Sequence, residues 1–431
     1  MSLGDEGDCG YDVIVMKPEL LTEIPGPESV RLAAELREYE SRNVTYVDES
    51  WPVFWERAEG VNVWDADGNR FLDFTSAFGV AGLGHRNGEI VEAMKGQADL
   101  LLHGMGDVHP TALKGALCRR LSELTFERWG AGRGKVLLSN SGFEAVESAL
   151  KTARLATGKA GVLAFFEGYH GLGYGALLGT DLEKFQGPFG DQLADVTTRV
   201  PYGSVDLPSG GEIGAVLVEP IQGRGGKRVP DEKFLKRLRE WCDAEGALLI
   251  FDEIYTGFHR TGKWFGCEWD GVVPDVICVG KAMSGGFPIS ACVGKVEVMD
   301  RWPESPGEAL HTSTFLGHPV GCAMALKSLE ILARPETVVK VEEASQKLEA
   351  ALKSLDHPSV VEVRGRGMMW GVELDRNAGP LLGQLLSEGL LFLADGPKGN
   401  VLSFTPPFTI SGVEIDHAME VILRLLAEDR F

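Results

Sequence analysis

No stretch of this 431-residue chain approaches the eighteen or so consecutive apolar residues that a membrane span needs. Cysteine is sparse and unpatterned: Cys9, Cys118, Cys242, Cys267, Cys278, Cys292 and Cys322 make an odd count of seven with no C-x-x-C pair. That spacing argues against a disulfide framework or a zinc site and suits a reducing cytoplasm. Positive charge is also in deficit, with 42 Lys and Arg against 63 Asp and Glu, a formal charge of −21. A field of that sign repels nucleic-acid backbones. The opening MSLGDEGDCGYD is acidic and lacks an apolar core, so no secretory signal is expected there. Internal repeats and low-complexity tracts are missing too. These absences predict a cytoplasmic protein with no membrane, nucleic-acid or metal partner.

What is present is ordinary globular composition, 44% apolar and 24% charged residues. The length exceeds what one hydrophobic core fills, so two lobes are expected. Residues 1–27 are rich in Gly, Pro and acids and read as an arm, with a helix beginning near Pro27-Glu28-Ser29. WDADGNRFLDF (64–74) sets Asp-Gly-Asn between two strand-like runs, a hairpin pattern. From about residue 135 short apolar runs alternate with helix-like stretches: KVLLS (135–139), GVLAFF (161–166), AVLVE (215–219), ALLIFD (247–252) and VICVG (276–280). Such runs suit strands of a mostly parallel sheet buried on both faces. After residue 320 come an Ala-rich helix, a charged helix near 335–355, two strand-like pieces around 361–374 and a closing helix after Ile415. The expected fold is α/β. Residues 1–74 form an arm and part of a small domain, 75–320 a large ligand-binding domain, and 321–431 the rest of an α+β small domain.

Ligands collect at the carboxyl ends of strands in open α/β sheets, so those ends hold the candidate chemistry. After KVLLS, Asn140-Ser141-Gly142-Phe143-Glu144 turns into a helix whose Ala145, Val146, Ala149, Leu150 and Ala153 form one apolar face. A glycine-containing turn feeding a helix N-terminus favours an anion, because free N–H groups and the helix dipole meet there. Alone it reads equally as an ordinary strand–helix turn. ALLIFD ends in Asp252, a carboxylate costly at a buried strand end unless it meets a cation or donors. Alone it reads as an acid paired with an arginine or capping a loop. VICVG runs into Lys281 and a glycine-rich turn, and desolvation there would free the amine to attack a carbonyl. Alone it reads as a lysine reaching the surface. The three together suit one cofactor with a phosphate, a pyridinium and an aldehyde, pyridoxal 5'-phosphate.

Seven segments occur in an order that resembles the class III aminotransferases, of the fold type I architecture, from about residue 45 to the C-terminus. They are FTSAFGVAGLGH (74–85), NSGFEAVESALKTAR (140–154), GYHG (168–171), VEPIQGRGG (218–226), DEIYTGFHRTG (252–262), GKAMSGGFP (280–288) and HTSTFLGHPVGCAMAL (311–326). The resemblance implies that Lys281 carries the cofactor as a Schiff base and later acts as the base, and that Asp252 holds the ring nitrogen. It also implies phosphate contacts from Ser141, Gly142 and Phe143, and a ring held between Tyr169 and Ile254. Gln222 is expected near the phenolic oxygen, with Glu219 behind the site. Thr314 resembles a residue that reaches the phosphate of a partner subunit, which implies a homodimer with two shared sites. The implied reaction moves an amino group from an amine or amino acid to a keto acid in two ping-pong halves.

Substrate-binding positions depart from the family pattern. Ser403 stands where ornithine-type relatives have an arginine before F-x-P, and Leu172 where an arginine commonly follows YHG. Ser411 and Gly412 occupy the region of a mobile arginine in amine transaminases. Arg224 replaces a usual glutamate and is a candidate for binding a substrate carboxylate, with a structural ion pair as the other reading. Phe78 and Leu172 make the expected pocket more apolar, which favours an ω-amine or hydrophobic donor over a dicarboxylic one. Two other readings stay open on sequence alone: a class III isomerase, either an aminomutase like glutamate-1-semialdehyde aminomutase or a racemase, and a non-enzymatic regulatory relative. For the last the chain lacks both spare length and basic charge.

Overall fold

The five apolar runs all become strands of one seven-stranded sheet. In the computed structural model, which describes residues 16–46, 51–209 and 211–428, the order is Gly134–Ser139, Ser290–Lys295, Val276–Val279, Leu248–Asp252, Ile213–Val218, Gly161–Phe165, Thr197–Val200. The five strands from Val276–Val279 to Thr197–Val200 run parallel. Ser290–Lys295 is antiparallel to both its neighbours and is the one reversed strand of this sheet. All six residues of Ile213–Val218 and all four of Val276–Val279 are buried, as a sheet covered by helices on both faces requires. The Gly142–Thr157 helix packs with Ala145, Val146, Ala149 and Ala153 on Ala215, Ile250, Val276 and Cys278. Its small side chains keep the helix axis close to the sheet, and it stops at Gly158, whose φ of 72° is the left-handed cap that glycine tolerates.

The expected hairpin is present: Asn62–Asp65 pairs antiparallel with Arg70–Asp73 around Gly68. Asp65 ties the turn by accepting from the Asn69 amide at 2.8 Å. The Leu390–Leu391 strand, far along the chain, adds in parallel to Arg70–Asp73, placing Leu390 opposite Leu72. The pieces around 361–374 form the hairpin Val360–Arg366 and Met369–Leu374, extended by Val401–Phe404 and Leu393–Asp395 into an antiparallel sheet. Helices Pro319–Leu332, Pro335–Lys353 and Gly412–Glu428 match the expected C-terminal helices, and Pro27–Tyr39 the expected first one. The strands at Thr197–Val200, Ser290–Lys295 and 390–404 go beyond the sequence reading. Cys9 and the acidic opening lie outside the described residues. Among the described residues no helix is long and apolar enough to cross a membrane, and no group of side chains is arranged to hold a metal ion.

Candidate active site

The carboxyl ends of the Gly134–Ser139, Leu248–Asp252 and Val276–Val279 strands open onto a cavity of about 750 Å³. Asp252, the last residue of its strand, lines it. Its Oδ2 lies 2.8 Å from His170 Nδ1, and its Oδ1 accepts the Ile254 amide at 3.1 Å. Both side chains of the Asp252–His170 pair are almost wholly buried, so the carboxylate is oriented and shielded from water.

Lys281 follows Gly280 directly after its strand and also lines the cavity. Its φ of 45° is left-handed, an unfavourable conformation for a residue with a Cβ, and it turns the chain abruptly just past the carboxyl end of the strand. Burial pushes its amine down to about 8, against the opposing pull of Asp252 and Glu219. A second strained turn brings Phe78 to the cavity wall. Ser76, Ala77 and Phe78 have φ of 49°, 48° and 61° in succession. Asp73 secures them by accepting from Thr75 N, Thr75 Oγ1 and Ala77 N.

Gly142 and Phe143 begin the helix after the first strand and line the cavity. Amides in a first helical turn have no intrahelical acceptor, so this end offers N–H groups to an anion. The fit there is close, since a Cβ at position 142 would stand 3.0 Å from Ile254 Cδ1 and that side chain would have to give way. The Ser141 amide and hydroxyl are engaged by Glu144 Oε2 at 2.8 and 3.1 Å, and Ser141 is not part of the cavity wall.

Tyr169 and Ile254 both line the cavity, and burial raises the Tyr169 phenol above its ordinary value. Glu219 lies in the wall rather than behind it. It accepts the Tyr169 amide at 3.0 Å and the Gly223 amide at 2.9 Å, joining two loops, and burial raises its carboxyl above the usual range. Gln222 stands off the wall. Its Nε2 donates to Phe166 O at 2.8 Å, while its Oε1 is buried without a hydrogen-bond partner among the described residues. Thr314 is exposed and outside this cavity.

At the outer end, Phe78 and Leu172 line the wall and remain about half exposed. Arg224 and Lys281 are the Lys or Arg side chains in this wall. The Arg224 guanidinium sits 5.5 Å from the centre of the Tyr169 ring, and its Nε lies 3.9 Å from Asp395 Oδ1, too far for a hydrogen bond. Asp395 Oδ2 is instead taken by the fully buried Lys227 at 2.5 Å. Ser403 is buried within its strand and Ser411 caps the last helix, so neither adds to the wall.

The sequence reading missed His170, Tyr255, Lys227 and Asp395. His170 and Tyr255 stood inside quoted motifs, GYHG and DEIYTG, and could have been flagged there. Nothing local marks Asp395, which reaches the cavity only because the Leu393–Asp395 strand folds back over it.

A family model for Aminotransferase class-III matches residues 45–426. Ornithine aminotransferase 2 of Staphylococcus aureus (strain Mu50) is 38% identical over 383 residues, covering 86% of this chain and 93% of the relative. Acetylornithine aminotransferase of Methanosarcina mazei is 35% identical over 374 residues, covering 86% and 91%. Among solved structures, ornithine aminotransferase of Toxoplasma gondii superposes with a TM-score of 0.82 at 31% identity, covering 93% of this chain and 95% of that one. That structure is described as having partial occupancy of PLP at the active site. A transaminase from the marine bacterium Virgibacillus shares the fold with a TM-score of 0.84 at 24% identity, covering 92% and 98%.

Proposed function

The chain belongs to the class III aminotransferases, pyridoxal-phosphate enzymes that move amino groups to keto acids, and from that premise we propose residue roles and a substrate class for this site. One observation carries the reading: an amine (Lys281), an oriented carboxylate (Asp252) and free helix-end amides (Gly142, Phe143) meet in one cavity. Those groups fit the cofactor. Asp252 would hold its ring nitrogen, Gly142 and Phe143 its phosphate, and Tyr169 and Ile254 its two faces. When bound, pyridoxal phosphate supplies an aldehyde for an amine to join and a ring that withdraws electrons from the adjacent carbon.

The residues then divide the work. Lys281 Nζ, unprotonated in a useful fraction near its value of about 8, takes the proton from the substrate carbon that bears nitrogen and later returns one. General acid–base help of this kind accelerates a step by roughly 10²–10⁴-fold. The His170 N–H holds Asp252 in place, and Glu219 fixes the loops carrying Tyr169 and Gly223. Phe78 and Leu172 line the donor's path, which supports a terminal amine on an apolar chain. Arg224, free of any close hydrogen bond to Asp395, is assigned to the carboxylate of the keto-acid acceptor.

We also assign a homodimer in which Thr314 serves the partner's site. Exposed Thr314 and Phe315, together with exposed Leu100, Leu102 and Met105, supply an apolar surface suited to a second copy. Six described cysteines are free thiols, five of them buried, in keeping with a cytoplasmic location.

The test is the visible spectrum of the purified protein with pyridoxal phosphate, read with a panel of amines and then with pyruvate or 2-oxoglutarate. Terminal amines should bleach the band in wild type and the keto acid should restore it. Lys281→Ala should never show it. A band that survives in Lys281→Ala, or that persists in wild type while donor enantiomers interconvert, refutes these assignments.

A further inference from the structure

Tyr255 leaves the Leu248–Asp252 strand on a turn held at both ends. The Glu253 amide donates to Cys278 O at 2.9 Å, and the Glu253 carboxylate accepts the Gly266 and Cys267 amides at 2.8 and 2.7 Å. The ring is then gripped on both long edges by backbone. A Cβ at Gly79 would stand 2.5 Å from Tyr255 Cε2, and one at Gly223 would stand 2.6 Å from Cδ1, so only glycine at each position lets the chain come so near. Gly79 ends the left-handed turn through Phe78, with φ of 80°. At the tip, the Tyr255 hydroxyl shares a 3.1 Å hydrogen bond with Thr405 Oγ1, which donates to Thr75 O at 3.2 Å.

Clamped at its edges and tip, the ring presents its faces to amines. Lys281 Nζ lies 3.7 Å from the ring centre, and Lys227 Nζ, paired with Asp395, lies 4.8 Å from it. We propose that Tyr255 is a positioning residue for Lys281, a fixed aromatic platform on which the lysine amine rests when it is not covalently engaged. This deepens the assignment of Lys281 and rests on it. An aromatic face suits that task because it attracts an ammonium without accepting a strong directional hydrogen bond. The amine is held near the reacting carbon, yet released readily. The second ammonium, Lys227, near the same ring opposes a charge on Lys281 and keeps the platform from trapping it as a permanent cation.

The experiment uses cofactor-free full-length protein. Modification of Lys281 by an amine-directed reagent is followed across pH by peptide mass spectrometry, in wild type, Tyr255→Phe, Tyr255→Leu and the longer, unbranched, ring-free Tyr255→Met. The phenylalanine variant keeps the ring and should keep the wild-type midpoint. The ring-free variants lose the cation's partner, and their midpoint should fall by about half a pH unit or more. An unchanged or raised midpoint in both ring-free variants overturns the proposal, as does a phenylalanine variant that shifts as far as they do. Lys281→Ala separates the two readings: a visible cofactor band surviving there sinks the assignment of Lys281 itself, whereas the midpoints judge Tyr255.

Discussion

His170 Nδ1 lies 2.8 Å from Asp252 Oδ2, joining residues 82 positions apart, with both side chains almost wholly buried. The bond fixes the carboxylate of one strand end against a loop from another.

Removing that bond should loosen the cofactor before it harms the fold. His170→Phe leaves Asp252 without its ring partner, and losing a hydrogen bond to a charged group costs about 1.5–3 kcal/mol, or roughly 10–100-fold in affinity. Absorbance titration of cofactor-free protein with pyridoxal phosphate measures the change. An unaltered dissociation constant would remove His170 from the site.

Arg224 should matter in one half of the cycle only. Arg224→Ala is expected to raise KM for the keto acid by roughly 10–100-fold, the loss of a charge-assisted contact, while the donor half-reaction keeps its rate. Lysine at this position should recover part of the effect, since it keeps the charge but not the planar fork. Equal losses in both halves would mean that Arg224 serves the wall through Asp395 and Tyr169 instead.

The lysine amine gives a pH signature of definite sign. Pushed down from 10.5 to about 8 in the cofactor-free protein, Lys281 is charged below that value and free above it, so its rate of joining added pyridoxal phosphate should climb as pH rises through about 8. In cofactor-free protein between pH 8 and 10.5, the unfolded chain holds a proton that the folded chain has released. Stability therefore rises with pH across that window, and the penalty of the buried ammonium is greatest below it. Lys281→Met removes the penalty and should raise Tm at pH 7, with the gain closing toward pH 10.5. A stabilisation independent of pH would assign the gain to packing.

Gly106 is a purely steric test. A Cβ there would stand 1.9 Å from the Leu316 carbonyl oxygen, a backbone atom that cannot yield without moving the segment that carries Thr314. Gly106→Ala should cost about 1–3 kcal/mol or more, read as a lower Tm. If that segment meets a second copy, sedimentation should show a weaker dimer as well.

Much of this was legible in one dimension because strand ends and turns are local. ALLIFD and VICVG announce buried strands by composition, and Asp252 and Lys281 are conspicuous as the polar residues that terminate them. The Asn62–Asp65 hairpin follows from its turn residues alone. Long-range pairing was not legible. Ser290–Lys295 gives no sign in sequence that it runs against the sheet, because strand direction is set by connections rather than by residue type. Asp395 and Lys227 each look like surface charges until a pairing across 168 positions buries them. Tyr255 and His170 were written in recognised motifs, but their tasks depend on what stands opposite, Lys281 and Thr405 for one and Asp252 for the other.

The pairing of Leu390 with Leu72 also sets an order of events during synthesis. All seven strands of the central sheet come from residues 134–295, so that sheet can assemble while the ribosome is still making the C-terminal third. The Arg70–Asp73 strand cannot finish then. Its parallel neighbour is among the last segments to emerge, and until it does, the edge carrying Phe71 and Leu72 stays unpaired and open to other chains. A chain truncated before residue 390 should therefore keep its central sheet and aggregate through this edge.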